Sequence, residues 1–152
     1  MLYSLISILL FGADSRIKHE VERHHRPGSV KHICGGRLLI RKHHNKGVML
    51  NLFDGHQKLM AAVSAGLTVF LVLLGVDAFA DRDRSRMEKL GFAFLIGGAL
   101  SNTLDRITRG YVVDYVSFRV KWKRLQNIVF NISDFFIMAG AWLTVLFSDK
   151  KS

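Results

Sequence analysis

Four long apolar runs constrain this chain more than any other feature. Met1–Ala13, Leu59–Val76, Leu90–Leu104 and Ile128–Phe147 hold 13, 18, 15 and 20 residues, with Asp134 the single charge among them. A helix that crosses a bilayer takes roughly 20 apolar residues, with a range of about 17–25. The second and fourth runs meet this alone, the first and third only if their helices carry Asp14 or Asp105 at the end. Four such runs in 152 residues leave too little polar surface to cover them as cores of a soluble protein. The expected fold is a mainly α membrane protein, one integral domain over residues 1–152 with four transmembrane helices at about 1–17, 57–76, 88–106 and 128–147. No Lys or Arg precedes residue 16, so the first run lacks the basic start of a signal peptide and is expected to stay as a helix.

Between the runs, residues 36–56 read as a small β-rich segment. Leu38-Leu39-Ile40 leads to a turn at Asn45-Lys46-Gly47, where Asn and Gly tolerate positive φ, and Val48–Phe53 returns as an apolar stretch. From Tyr115 to Trp122 apolar and basic residues interleave, which fits either an interfacial amphipathic segment or a strand. All seven histidines lie between His19 and His56 without a strong ligand spacing, so a solvated basic loop is expected there and no metal site. The single cysteine, Cys34, excludes an internal disulfide. The net charge of +10 suits anionic lipid headgroups better than nucleic acid, given the apolar runs.

Four spans put both termini on one side, with six Lys and Arg there (Arg82, Arg84, Arg86, Lys89, Lys150, Lys151) against sixteen on the other. Charge bias alone therefore favours the orientation with the termini outside.

Ionisable residues inside membrane segments usually face protein and mark function. Asn102, Asp105 and Arg106 fall at i, i+3 and i+4 on one helix face, and Asn131 and Asp134 share another. If those faces meet, Asn102, Arg106, Asn131 and Asp134 converge, with Asp114 supplied by the connecting segment. Gly97-Gly98 lets another helix approach closely. Spacing alone leaves two readings open. One is structural glue, with Arg106 paired to Asp105 or Asp134; the other is a pair of carboxylates, one protonated and one ionised, as in aspartic proteases.

The run Gly97-Gly98-Ala99-Leu100-Ser101-Asn102-Thr103-Leu104-Asp105-Arg106, then Gly110-Tyr111-Val112-Val113-Asp114-Tyr115 and Phe130-Asn131-Ile132-Ser133-Asp134, resembles the C-terminal motifs of bacterial signal peptidase II, the lipoprotein signal peptidase family. Asp14-Ser15-Arg16-Ile17-Lys18 and Asn45-Lys46-Gly47 resemble its earlier motifs. The resemblance implies a plasma-membrane aspartyl endopeptidase with four spans and a small extracytoplasmic β-cradle. It implies removal of the signal peptide from prolipoproteins just before a diacylglyceryl-modified cysteine, with no cofactor, and a monomer is expected. It makes Asp114 and Asp134 the catalytic pair. Asn45, Gly47, Asn102, Asp105, Arg106 and Asn131 become substrate-binding or site-supporting residues, with Asp14 and Lys18 as supports. It also sets both termini in the cytoplasm and the site near the extracytoplasmic face, against the charge bias.

Departures from the family pattern are Ser15 for a usual Gln, Ser101 for Gly, Ser133 for Ala, the bulky Val48-Met49-Leu50 after Asn-x-Gly, and Val129 in a region where the family often has proline. Ser101 and Ser133 are small and able to donate a hydrogen bond to the aspartate pair. Rival readings are a relative that binds lipopeptides without cleaving them, and a small ion or proton carrier using Asp14, Asp105 and Asp134.

Overall fold

The computed structural model describes residues 1–47, 56–120, 122, 126 and 128–148. Among the described residues four α-helices and three strands follow one another, with a short 3-10 turn at Cys34–Gly36 between the first two strands. They are α1 (Leu2–His24), β1 (Val30–Ile33), β2 (Leu38–Asn45), α2 (Gln57–Ala80), α3 (Arg86–Arg109), β3 (Val112–Phe118) and α4 (Ile132–Leu146). Among the described residues α2 alone is long and apolar enough to cross a membrane by itself, with mean hydropathy 2.4 over its best 18 residues. The helix α4 is apolar but only 15 residues long, about 22 Å at the usual rise. Both α1 and α3 have the length and carry polar residues, and those residues point inward: Asp14 and Lys18 of α1, and Ser101, Asn102 and Asp105 of α3, are buried. Leu2, Leu5, Ile8 and Leu9 of α1 and Leu67, Val69, Phe70 and Leu73 of α2 are exposed instead, an inversion of the soluble pattern that suits a lipid environment.

The central helix is α3, packed against the other three. Its glycines permit this. A Cβ on Gly98 would lie 2.7 Å from the Ser133 carbonyl oxygen on α4, and one on Gly97 would lie 2.9 Å from the Ser7 carbonyl oxygen on α1. On α4, Gly140 approaches Gly91 of α3 as closely. The Gly97-Gly98 pair therefore serves two helix contacts at once. Ser85 caps the start of α3, and Gly110, at φ 79°, ends it in a left-handed turn that feeds β3.

The strands form one antiparallel sheet in the order β1-β2-β3. It begins earlier than residue 36 and takes its third strand from Val112–Phe118, so the expected 36–56 segment is displaced; Val48–Phe53 lies outside the described residues. The expected basic loop is also corrected. The first helix runs on through His24, and Val30–Ile33 and Leu38–Asn45 are paired strands. Exposed Lys31 and His32 stand in solvent while their backbone groups are satisfied by pairing. For Tyr115–Phe118 the strand reading holds; Lys121, Lys123 and Arg124 lie outside the described residues.

The last run is not helical from its start. Phe130 bridges Val116 of β3, its N–H donating to the Val116 carbonyl at 2.7 Å and its carbonyl accepting from Val116 N–H at 2.7 Å. The helix α4 begins only after Asn131, which forms a capping box with Asp134. The stretch Ile128-Val129-Phe130 is as apolar as a helix would be, but its two β-branched residues favour helix less than an unbranched run would.

Candidate active site

The Phe130–Val116 bridge decides the geometry. It pins the start of α4 beside β3 and so brings Asp134 to Asp114. Asn131, fully buried, links the two: its side-chain amide donates to Asp114 Oδ1 at 2.7 Å, and its backbone N–H donates to Asp134 Oδ2 at 2.9 Å. Its own Oδ1 accepts the Asp134 backbone N–H at 3.0 Å. The remaining carboxylate oxygens are held from two other elements. Asn45 at the end of β2 donates to Asp114 Oδ2 at 3.0 Å, and Asn102 of α3 donates to Asp134 Oδ1 at 3.1 Å. Three asparagines thus orient two carboxylates without adding charge.

Asp114 is 2 % exposed. Burial, and then the negative charge of nearby Asp134, push its carboxyl up to about 7, while the Asn45 and Asn131 hydrogen bonds pull it back down. Near neutrality it therefore exchanges its proton readily, as a member of an acid–base pair must. We expect Asn131→Ala to raise that value further and to lower kcat by about 10–100-fold, since the pair loses both a donor and its bridge. The alkaline limb of the pH–kcat/KM profile, where the pair loses its last proton, is the readout, and a limb that stays in place would count against the bridging role.

Both aspartates open onto a cavity of about 420 Å³. Its walls come from Leu67, Thr68 and Leu71 of α2, from α3, from Phe130, and from Ile137 and Met138 of α4. Asn45, Asn102 and Arg106 also line it. Arg106 makes no ion pair or hydrogen bond with another described residue, so the pairing to Asp105 or Asp134 expected of structural glue is absent. Its guanidinium feels the charges of Asp114, Asp134 and Asp105 without touching them, which leaves its N–H donors available to a ligand in the cavity.

Asp105 does not join this wall. Its Oδ2 accepts the Val113 N–H at 3.1 Å and faces Lys18 Nζ at 3.4 Å, and its Oδ1 meets Arg109 at 3.4 Å. It holds the root of β3. Gly47 is buried and donates its N–H to Asn45 Oδ1 at 3.2 Å, which fixes the amide that reaches Asp114.

Asp14 and Lys18 form a buried ion pair at 2.9 Å, 0 % and 1 % exposed. Lys18 also donates to Ser101 Oγ and, at 2.7 Å, to Asn102 Oδ1, so it orients the amide that holds Asp134. Ser101 and Ser133 do not reach the aspartate pair as expected. Both donate to Asp14 Oδ2, at 2.6 and 2.5 Å, because their hydroxyls lie on the faces where α3 and α4 meet α1. Sequence reasoning missed Tyr115, whose hydroxyl donates to Asp14 Oδ1 at 2.7 Å and accepts the Ile132 N–H at 3.2 Å. The available signal was Asp14 itself: a buried carboxylate needs several donors, and one lysine is not enough.

The family described as signal peptidase (SPase) II matches residues 6–149. A lipoprotein signal peptidase of Clostridioides difficile (strain 630) is 34% identical, covering 100% of this chain and 99% of that protein. Another, from Caldicellulosiruptor bescii, is 31% identical over 94% of this chain and 87% of its own length. A third, from Brucella ovis, is 34% identical over 93% and 85%. Two solved structures described as a bacterial membrane enzyme share the fold, with TM-scores of 0.81 and 0.80 at 21% and 22% identity, covering 99% of this chain and 92% and 94% of theirs. With a match across nearly its whole length and a pair of bridged aspartates where the motifs fall, this chain belongs to the signal peptidase II family.

Proposed function

We propose that the chain is an aspartic endopeptidase of the bacterial plasma membrane that removes the signal peptide from prolipoproteins, cutting before a diacylglyceryl-modified cysteine. The observation that carries this reading is the Asn131 bridge between Asp114 and Asp134 at the wall of one cavity. The pair shares a proton. The ionised member takes a proton from a water, the protonated member donates to the scissile carbonyl oxygen, and the neutral diol that forms collapses as the leaving amine is protonated. The pair titrates as a unit, so base and acid are not assigned to single residues. Arg106 is placed to hold a substrate carbonyl. The apolar walls at Leu67, Leu71, Ile137 and Met138 fit the lipid or the hydrophobic stretch of a signal peptide. Cleavage of a diacylglyceryl-modified prolipoprotein by the purified protein, beside Asp114→Asn and Asp134→Asn, tests the assignment. No cleavage by the unaltered protein moves the reading to a lipopeptide-binding relative.

In this reading all four helices span the bilayer, with both termini cytoplasmic, the sheet outside, and the chain working as a monomer among anionic lipids. Cys34 is exposed and is the only cysteine, so it reports orientation directly. A membrane-impermeant maleimide is expected to label it on intact spheroplasts. Labelling only after lysis would reverse the topology and restore the orientation that charge bias favours.

A further inference from the structure

The histidine-rich segment has a role at the far end of β2. Glu22, on the last turn of α1, receives three partners there. Lys42 Nζ lies 3.1 Å from its Oε1 and donates to its backbone carbonyl at 2.8 Å. His44 Nε2 is 3.0 Å from its Oε2, and the Tyr111 hydroxyl reaches Oε1 at 3.5 Å. The His44 ring stacks on Tyr111 with centroids 4.1 Å apart. One carboxylate therefore ties α1 to β2 and to the turn that leads into β3.

This knot sits where pairing between β2 and β3 is interrupted. The register shifts between Ile40 and His43, then resumes with His43 opposite Asp114, His44 opposite Val113 and Asn45 opposite Val112. An irregularity frees the strand beyond it from the register set before it. Side chains alternate along a strand, so a slip of one residue turns Asn45 to the other face. Asn45 would then lose its 3.0 Å hydrogen bond to Asp114. Lys42 and His44 share the face opposite to His43 and Asn45, and both are fastened to Glu22.

We infer that Glu22, Lys42 and His44 are a register lock for the strand that holds Asp114. They are positioning residues, acting through Asn45, and touch neither the cavity nor the substrate. The inference rests on Asp114 being catalytic. It gives the clustered histidines a use distinct from metal binding and from headgroup contact: in His43-His44-Asn45, the middle residue fastens the strand so that the last can serve the site.

The test compares Glu22→Ala and His44→Ala with His44→Gln, with Glu20→Ala as a control on the same helix, in cleavage of a diacylglyceryl-modified prolipoprotein. Glu22→Ala and His44→Ala are expected to lower kcat about tenfold with KM within about twofold. They should also move the alkaline limb of the pH profile upward by roughly half a unit, since Asp114 loses the donor that favours its charged form. His44→Gln retains a donor and is expected to keep the unaltered kcat; Glu20→Ala should change nothing. A wild-type kcat and alkaline limb in both alanine variants overturns the lock, as does His44→Gln falling as far as His44→Ala. Asp114→Asn is run alongside. If it stays active, the aspartic reading itself fails; if it is inactive while Glu22→Ala and His44→Ala are normal, only the register lock fails.

Discussion

Asp114→Asn and Asp134→Asn are each expected to lower kcat for prolipoprotein cleavage by about ten-thousandfold or more, with the fold intact. An amide neither accepts a proton from water nor donates one as an acid, so a pair with one amide cannot complete the cycle. Side-chain volume is preserved, but both oxygens of each carboxylate accept from donors that are themselves held in place, so the amide nitrogen of the new asparagine meets a donor, at a local cost of about 1–3 kcal/mol. For Asp114→Asn the pH dependence of stability should fall along with activity. The Asp114 carboxyl is raised from 3.8 to about 7 in the fold, so between those values the native state binds more protons than the unfolded chain. Native stability from this group is present below about pH 4 and is lost as pH rises through about 7. An asparagine has no such dependence. Asp114→Asn is therefore expected to gain stability relative to the unaltered protein between pH 4 and pH 8, by an amount on the order of a few kcal/mol. Thermal unfolding in detergent at the two pH values reads this directly. A difference between the two proteins that is the same at both pH values would mean that Asp114 carries no strained charge.

The second large effect lies one layer behind the site. Lys18→Met leaves Asp14 buried at 0 % exposure with its counter-charge gone. Removing one partner of a buried pair costs about 3–5 kcal/mol, because the other charge is left uncompensated. Asp14 keeps Ser101, Ser133 and Tyr115 as donors, which soften the loss without cancelling it. Activity should fall as well, since the Asn102 amide loses the ammonium that fixes its orientation toward Asp134. The double variant Asp14→Asn, Lys18→Met removes both charges and is expected to recover most of the stability and little of the activity. Unfolding midpoints and kcat for the three proteins check both halves. A Lys18→Met protein as stable as the original would show the pair to be energetically idle.

Much of the site was legible because it sits where polar residues are expensive. Asp134 stands in an otherwise uncharged run of twenty residues, and Asn102 and Arg106 lie one turn apart on a helix. Helical spacing and the cost of burial were enough to bring these together. Their second partners were not legible. Tyr115, Ser101 and Ser133 reach Asp14 from three different elements, and convergence of that kind leaves no periodicity in sequence. The start of α4 was misplaced because hydropathy does not distinguish a membrane helix from an apolar strand: Ile128–Phe130 satisfies both, and the Asn131 cap decides. The first strand was missed for the opposite reason. Val30–Ile33 carries exposed Lys31 and His32, so the polar character of the side chains masked the pairing of the backbone.

The bridge between Phe130 and Val116 has a consequence for the order of events in biosynthesis. Chains are made from the N-terminus, and every element except α4 precedes Phe130. Until residues 130–134 arrive, Asp114 has neither the Asn131 amide nor a second carboxylate beside it. On the proposed reading, a nascent chain that stops short of residue 130 holds one aspartate of the two and cannot cleave its neighbours in the membrane. Competence waits for the arrival of residues 130–134.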